Sequence, residues 1–240
     1  MSVNVTFLVC NRPRLTKQAL YSLGPTDDGV INVTVSEDCK CDTETQKVLS
    51  DWYQSNPKNR HLCGHTAEYG TGSLRNQVIA ASEKYFGRGS YLYLSDNDVC
   101  FYPAVFEKLV PIYEYAWTLG FKVLGAYNHP YHIPLNQTPV YGGGREIISR
   151  IMQVQALALQ SMLMKWEVWD QYGPFTETPV GRVCMGEDVD FCHKILKDGG
   201  KLGVVSPALA VNCGITNSFG EKIPGWELVM KEAPVGVFIE

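Results

Sequence analysis

Between residues 3 and 126 the chain alternates short β-prone runs with stretches of helical period, and few folds accept that rhythm. Val3, Val5, Phe7 and Val9 alternate with polar neighbours and run into a turn at Asn11-Arg12-Pro13. Leu15, Ala19, Leu20 and Leu23 then share one face of a helix that stops at Gly24-Pro25. A second strand is expected over 30–35. Helices follow over 43–53, with Thr43 as cap, and over 73–85, where Leu74, Val78, Ile79 and Ala81 form the apolar stripe. Tyr91-Leu92-Tyr93-Leu94 reads as a strand, 103–119 as a helix and 123–126 as a further strand. Strand–helix–strand units of this length favour parallel pairing, because the crossover helix returns the chain to the same end of the sheet. The expectation is an α/β fold, with a mostly parallel, Rossmann-like central sheet and helices on both faces.

The second half breaks the rhythm. Residues 127–150 hold His129-Pro130, His132, Pro134, Pro139 and Gly142-Gly143-Gly144, which predicts a long loop or hairpin. Residues 152–163 are strand-rich. A helix over 187–198 should turn Val189, Phe191, Cys192, Ile195 and Leu196 inward and end at Gly199-Gly200. Short strands are expected over 202–205 and 208–213, and the tail beyond 214 is less periodic. There is no internal repeat and no low-complexity segment.

With 240 residues, 45% hydrophobic and 19% charged, the chain can build one sizeable core. Its 21 Lys and Arg against 25 Asp and Glu, with no basic run, argue against extended non-specific nucleic-acid binding. No leader pattern opens the sequence and no run reaches ~18 apolar residues, so a soluble, cytoplasmic protein without a membrane span is expected. The sequons at Asn4, Asn32 and Asn136 then carry no meaning. Eight cysteines in such a chain are expected to stay reduced. Cys39, Cys41, His61, Cys63 and His65 could together satisfy zinc, although the pairing of their spacings is unlike common zinc modules. The plainer reading is loop and strand-end residues beside a nucleotide pocket.

Two acidic motifs carry the chemistry. Asp96-Asn97-Asp98 follows the apolar run 91–94, so two carboxylates emerge at the C-terminal end of a strand, where open α/β sheets bind ligands. Carboxylates one residue apart suit a hard divalent cation that also holds phosphate oxygens. Gly186-Glu187-Asp188-Val189-Asp190 places three acids in the first turn of a helix, more than compensation of the helix dipole needs.

The order of these motifs resembles the nucleotide-sugar glycosyltransferases of the GT-A fold, in particular the family 2 group. The resemblance runs through Val5 to Arg12, Val33 to Asp38, Gly72-Ser73-Leu74-Arg75-Asn76, Asp96-Asn97-Asp98, Gly173-Pro174-Phe175 and Gly186 to Phe191. It implies a donor-binding half over 1–126 and an acceptor-side subregion over 127–240, within one continuous domain. It implies a Mn²⁺ or Mg²⁺ site at Asp98 and Asp96, and Asp188 as the general base of an inverting transfer, with Glu187 orienting the acceptor. Asn11, Arg12, Asp38, Arg75, Asp96 and Asn97 become candidates for donor contact. Trp166 and Phe175 become candidates for an acceptor platform. Asn212 stands where many relatives carry a metal-binding His, so it is the candidate third ligand. The donor class favoured is a UDP-sugar, and the acceptor a saccharide hydroxyl first and a hydroxylated DNA base second. Two alternatives keep the same pocket: sugar-phosphate nucleotidyl transfer, and nucleotide-sugar binding without catalysis. The Asn11-Arg12-Pro13-Arg14 turn lacks the glycines expected of the first, and intact Asp98 and Asp188 weigh against the second.

Overall fold

The computed structural model describes residues 2–24, 30–37, 41–65, 67, 69–127, 135–141, 147–177 and 186–214. The element order is β1 (Val3–Val9), α1 (Pro13–Ser22), β2 (Ile31–Glu37), α2 (Thr43–Ser55), β3 (Arg60–Gly64), α3 (Thr71–Phe86), β4 (Tyr91–Asp96), β5 (Val99–Phe101), α4 (Val105–Thr118), β6 (Phe121–Gly125), β7 (Asn136–Tyr141), β8 (Ile147–Val154), β9 (Ser161–Lys165), α5 (Trp166–Tyr172), α6 (Glu187–Lys197), β10 (Lys201–Ser206) and β11 (Ala210–Asn212).

Nine strands form one sheet in the order β3-β2-β1-β4-β9-β6-β10-β8-β7, and β11 pairs with β5 in a small second sheet. β3, β2, β1 and β4 pair in parallel, as the β–α alternation requires. The expectation of a mostly parallel sheet needs one amendment. β9 runs antiparallel between β4 and β6, and β8 runs antiparallel to β10. A strand from the second half of the chain therefore lies beside the strand that carries the acid pair, and the two halves share one sheet.

The side-chain period of two sorts the core. On β4, Tyr91 and Tyr93 join the cluster built by α1, α2 and α4, while Leu92 and Leu94 join the cluster built by α3, α5 and α6. Helices thus cover both faces, which is why residues 91–94 of this strand are all apolar. Full burial of each such side chain is worth about 1.5–3 kcal/mol, enough to fix the register at Asp96.

β7 and β8 pair antiparallel, in keeping with the loop or hairpin expected over 127–150. Other local readings change. β3, β5 and α5 were not anticipated. The side-chain cap of α2 is Asp42, whose carboxylate accepts the Thr45 N–H at 2.7 Å, and not Thr43. Val189 is 51% exposed on α6 and does not face inward. Among the described residues no helix is long and apolar enough to cross a membrane.

Candidate active site

β4 ends level with β1, with Leu8 opposite Asp96, and the chain turns through Asn97 and Asp98 into β5. That turn is pinned by the β1–α1 turn. The Asn97 amide donates to the Asn11 carbonyl at 2.9 Å and to Thr16 Oγ1 at 2.8 Å. Asn11 and Arg12 both adopt left-handed backbone, with φ of 53° and 59°. Such residues cost about 1–2 kcal/mol each outside glycine, and the surrounding hydrogen bonds hold them there. The Asn11 side chain also accepts the Asp42 N–H at 2.7 Å.

The consequence is the placement of Arg12, whose Nη1 lies 3.1 Å from Asp98 Oδ2. Asp98 is buried, 6% exposed, and burial pushes its carboxyl up to about 7, with the Asp96 charge adding and Arg12 opposing. Its Oδ1 is buried without a hydrogen-bond partner among the described residues. Gly214 lies against the other oxygen, and a Cβ there would sit 2.5 Å from Asp98 Oδ2 and 3.0 Å from Arg12 Nη1. An unsatisfied carboxylate oxygen with Asp96 two residues away is a donor set of the hard-oxygen kind that Mn²⁺ and Mg²⁺ take. The residues present fit such an ion. Among the described residues no group of three or more His, Cys, Asp or Glu gathers as a complete cage.

The second acidic motif opens α6, with Gly186 at the N-cap position in a conformation, φ 128°, that favours glycine. Glu187 is 1% exposed, and neither carboxylate oxygen has a hydrogen-bond partner among the described residues. Asp188 is held above the ordinary aspartate range, chiefly by burial, with the charges of Glu187 and Asp96 adding and the Val189 N–H, donated at 2.8 Å, opposing. Asp190 is different. It accepts from Thr176 Oγ1 at 2.7 Å and pairs with Lys194 at 3.0 Å, which lowers its carboxyl and makes it a brace for the helix.

Some sequence candidates have other work. Arg75 is fully buried; it donates to the Ser95 carbonyl at 2.6 Å and pairs with Asp96, so it orients the acid pair and does not reach out to phosphates. Asn97 is committed to the turn just described. Asn212 is 3% exposed, its carbonyl oxygen accepts the Gly214 N–H at 2.7 Å and its NH₂ donates to Gln160 at 2.8 Å, so it braces the backbone where a metal ligand was expected. Trp166 and Phe175, 6% and 2% exposed, pack in the core around α5 and α6 and offer no ring face to a sugar. Asp38 lies outside the described residues, as does Cys39. Of the remaining zinc candidates, Cys41 donates to the Val9 carbonyl, His61 stacks on Tyr85 at 4.2 Å and His65 meets Ser36 Oγ at 2.7 Å, each on a separate partner.

Three residues had no role assigned from sequence. Asn76, in the second turn of α3, donates to the Phe175 carbonyl at 3.0 Å and accepts the Phe175 N–H at 2.9 Å. It couples the two motifs Gly72–Asn76 and Gly173–Phe175, and its place within the first was the available signal. Gly72 closes the same joint, since a Cβ there would meet the Thr176 carbonyl oxygen at 2.1 Å. Gln160, which accepts from Tyr127 and Asn212, follows no motif and could not be found by pattern.

Comparison with solved structures settles the fold. The chain is similar to S. aureus TarS 1–349, with a TM-score of 0.60 and 18% identity over 88% of this chain and 60% of that one. The chain has a glycosyltransferase fold. It is also similar to the mannosyltransferase PcManGT from Pyrobaculum calidifontis in complex with GDP-Man and Mn²⁺, with a TM-score of 0.55 and 15% identity over 84% of this chain and 56% of that one. GalNAc-T7 with UDP, GalNAc and Mn²⁺ gives 0.59 and 15% over 85% and 42%. The chain therefore spans less than two thirds of the length of each, and at these identities the fold is what is shared. No family model matches the chain, and no curated protein does.

Proposed function

We propose that the chain is a metal-dependent, inverting glycosyltransferase of the GT-A, family 2-like kind. It would move a sugar from a nucleotide-sugar donor, a UDP-sugar by preference, to a hydroxyl acceptor, with a saccharide ahead of a hydroxylated DNA base. The observation that supports this reading is the path joining the two acidic motifs: Arg75 pairs with Asp96, the adjacent Asn76 holds Phe175, and Thr176 donates to Asp190 on α6. The structures of similar fold hold UDP or GDP-Man with Mn²⁺, which supports the same donor chemistry here.

Asp98 Oδ1 and Asp96 would hold the divalent cation, which when bound holds diphosphate oxygens and offsets charge building on the leaving nucleoside diphosphate. Arg12, paired with Asp98, adds positive charge beside those oxygens. Asp188 takes the proton from the acceptor hydroxyl, whose oxygen forms a bond to the anomeric carbon. The bond from that carbon to the diphosphate oxygen breaks on the opposite face, and the electron pair leaves with the nucleoside diphosphate. A carboxylate raised from its usual range by burial is a better base for that step. Glu187, buried with neither oxygen hydrogen-bonded among the described residues, accepts a hydrogen bond from a second acceptor hydroxyl and orients the sugar.

The test is a thermal-shift panel of UDP-, GDP-, CMP- and dTDP-sugars, with Mn²⁺ and with chelator, followed by product analysis with the donor that binds. A Mn²⁺-dependent shift and release of nucleoside diphosphate are expected. Release of pyrophosphate would replace glycosyl by nucleotidyl transfer, and binding without turnover on any acceptor would leave a binding protein.

A further inference from the structure

The metal-side acid is held not only by its own turn but also by a chain of amides that begins beside the neighbouring strand β9. Gln160 immediately precedes β9, the antiparallel strand beside β4. Ser161 pairs with Ser95, so the next step along the ladder sets Gln160 level with Asp96. Gln160 Oε1 accepts two hydrogen bonds, from the Tyr127 hydroxyl at 2.6 Å and from Asn212 Nδ2 at 2.8 Å. Asn212 Oδ1 in turn accepts the Gly214 N–H at 2.7 Å. A backbone N–H can only donate, so it fixes which end of the Asn212 amide is oxygen. That leaves the Asn212 NH₂ toward Gln160, and Gln160 must present its oxygen.

The far end of this chain is the Asp98 carboxylate. The Cys213 N–H donates to the Asp98 carbonyl at 2.7 Å, and Gly214 packs so closely that a Cβ would lie 2.5 Å from Asp98 Oδ2. The path therefore runs from β9, through Gln160 and Asn212, to the backbone that walls one side of Asp98. Tyr127, just past β6, ties a third strand into the same atom. A single side-chain oxygen sets the spacing between three strand ends and the acid.

We propose that Gln160 is a positioning residue of the metal–diphosphate site, acting through Asn212 and Gly214 to hold Asp98 in its ligating geometry. The inference rests on the function proposed above. Partners of a metal ligand that touch no metal themselves set its orientation, and losing one typically weakens metal affinity roughly 10–100-fold. Here the link runs through the wall of the site as well as the ligand, so the low end of that range, about tenfold, is expected.

The test compares wild type with Gln160→Met, which keeps the length of the side chain and removes the acceptor, and with Tyr127→Phe, which removes one hydroxyl and no packing. Each is titrated with Mn²⁺ alone by electron paramagnetic resonance and with UDP at a series of Mn²⁺ concentrations. The expected result is a rise of about tenfold in the Mn²⁺ needed for half-saturation in Gln160→Met. Affinity for UDP in chelator stays unchanged. Tyr127→Phe shifts in the same direction by less, and remains the readable variant if Gln160→Met does not fold. A lowered melting temperature with unaltered Mn²⁺ half-saturation in both variants would overturn the inference alone. A wild type that binds neither Mn²⁺ nor Mn²⁺–UDP would overturn it together with the proposed function.

Discussion

Replacing Asp98 by Asn should stabilise the metal-free protein by an amount that grows as pH rises from about 4 to about 7. Burial lifts the Asp98 carboxyl from the usual aspartate value of 3.8 to about 7. Its native form thus binds a proton more tightly than the unfolded chain does. Stability must then fall as pH rises from about 4 through 7, because the unfolded state releases that proton first. At about 1.4 kcal/mol per tenfold change in proton affinity, the full penalty above pH 8 is roughly 4 kcal/mol. Asn carries no charge at any pH and keeps an oxygen for the Arg12 contact at 3.1 Å. The Arg12 attraction is already contained in that raised value, so the gain expected at pH 8 is up to about 4 kcal/mol, on the order of 10 °C in Tm for a chain of this size. Thermal melts in chelator at pH 5, 6, 7 and 8 would measure it, with wild type falling relative to the variant across that series. Mn²⁺ should raise the wild-type melting point only where Asp98 is ionised, and should do nothing for Asp98→Asn. Parallel pH curves for the two proteins, or a variant less stable at pH 8, would refute the claim that Asp98 is a buried acid kept for a cation.

Asp188→Asn should leave Mn²⁺-dependent donor binding intact while lowering kcat by about 10²–10⁴-fold, the usual range for loss of a general base, as read by nucleoside diphosphate release. Equal turnover would remove Asp188 from that role. Asn76→Ala should destabilise the fold by about 2–3 kcal/mol in urea denaturation, since both hydrogen bonds to Phe175 go at once. A loss below 0.5 kcal/mol would show that the joint between α3 and α5 does not depend on it. Gly72→Ala should cost roughly 1–3 kcal/mol or more by the same assay, because the added methyl overlaps the rigid Thr176 carbonyl. Arg75→Met should disturb Asp96, with which Arg75 pairs, and weaken Mn²⁺-dependent nucleotide binding about tenfold, while a buried cation useful only for packing would leave it unchanged.

The sequence alone determined the layered α/β plan, because periods of two and 3.6 residues are set by local geometry and by which face each element must bury. Leu92 and Leu94 against Tyr91 and Tyr93 required helices on both sides of β4. It also placed Asp96 and Asp98 at a strand end and Glu187 and Asp188 at a helix start, since those positions follow from where the apolar runs stop. Tertiary structure alone decided what each polar group faces. Arg75 looked like a phosphate ligand until its burial against Ser95 and Asp96 was visible, and Asn212 like a metal ligand until its amide was found between Gly214 and Gln160. Trp166 and Phe175 had the composition of a sugar platform, yet the packing of α5 on α6 claimed them. The insertion of β9 between β4 and β6, which brings Gln160 level with Asp96, depends on a pairing some seventy residues apart in sequence. No local pattern encodes that choice; it is made by the competition among strands for the same hydrogen-bonding edge.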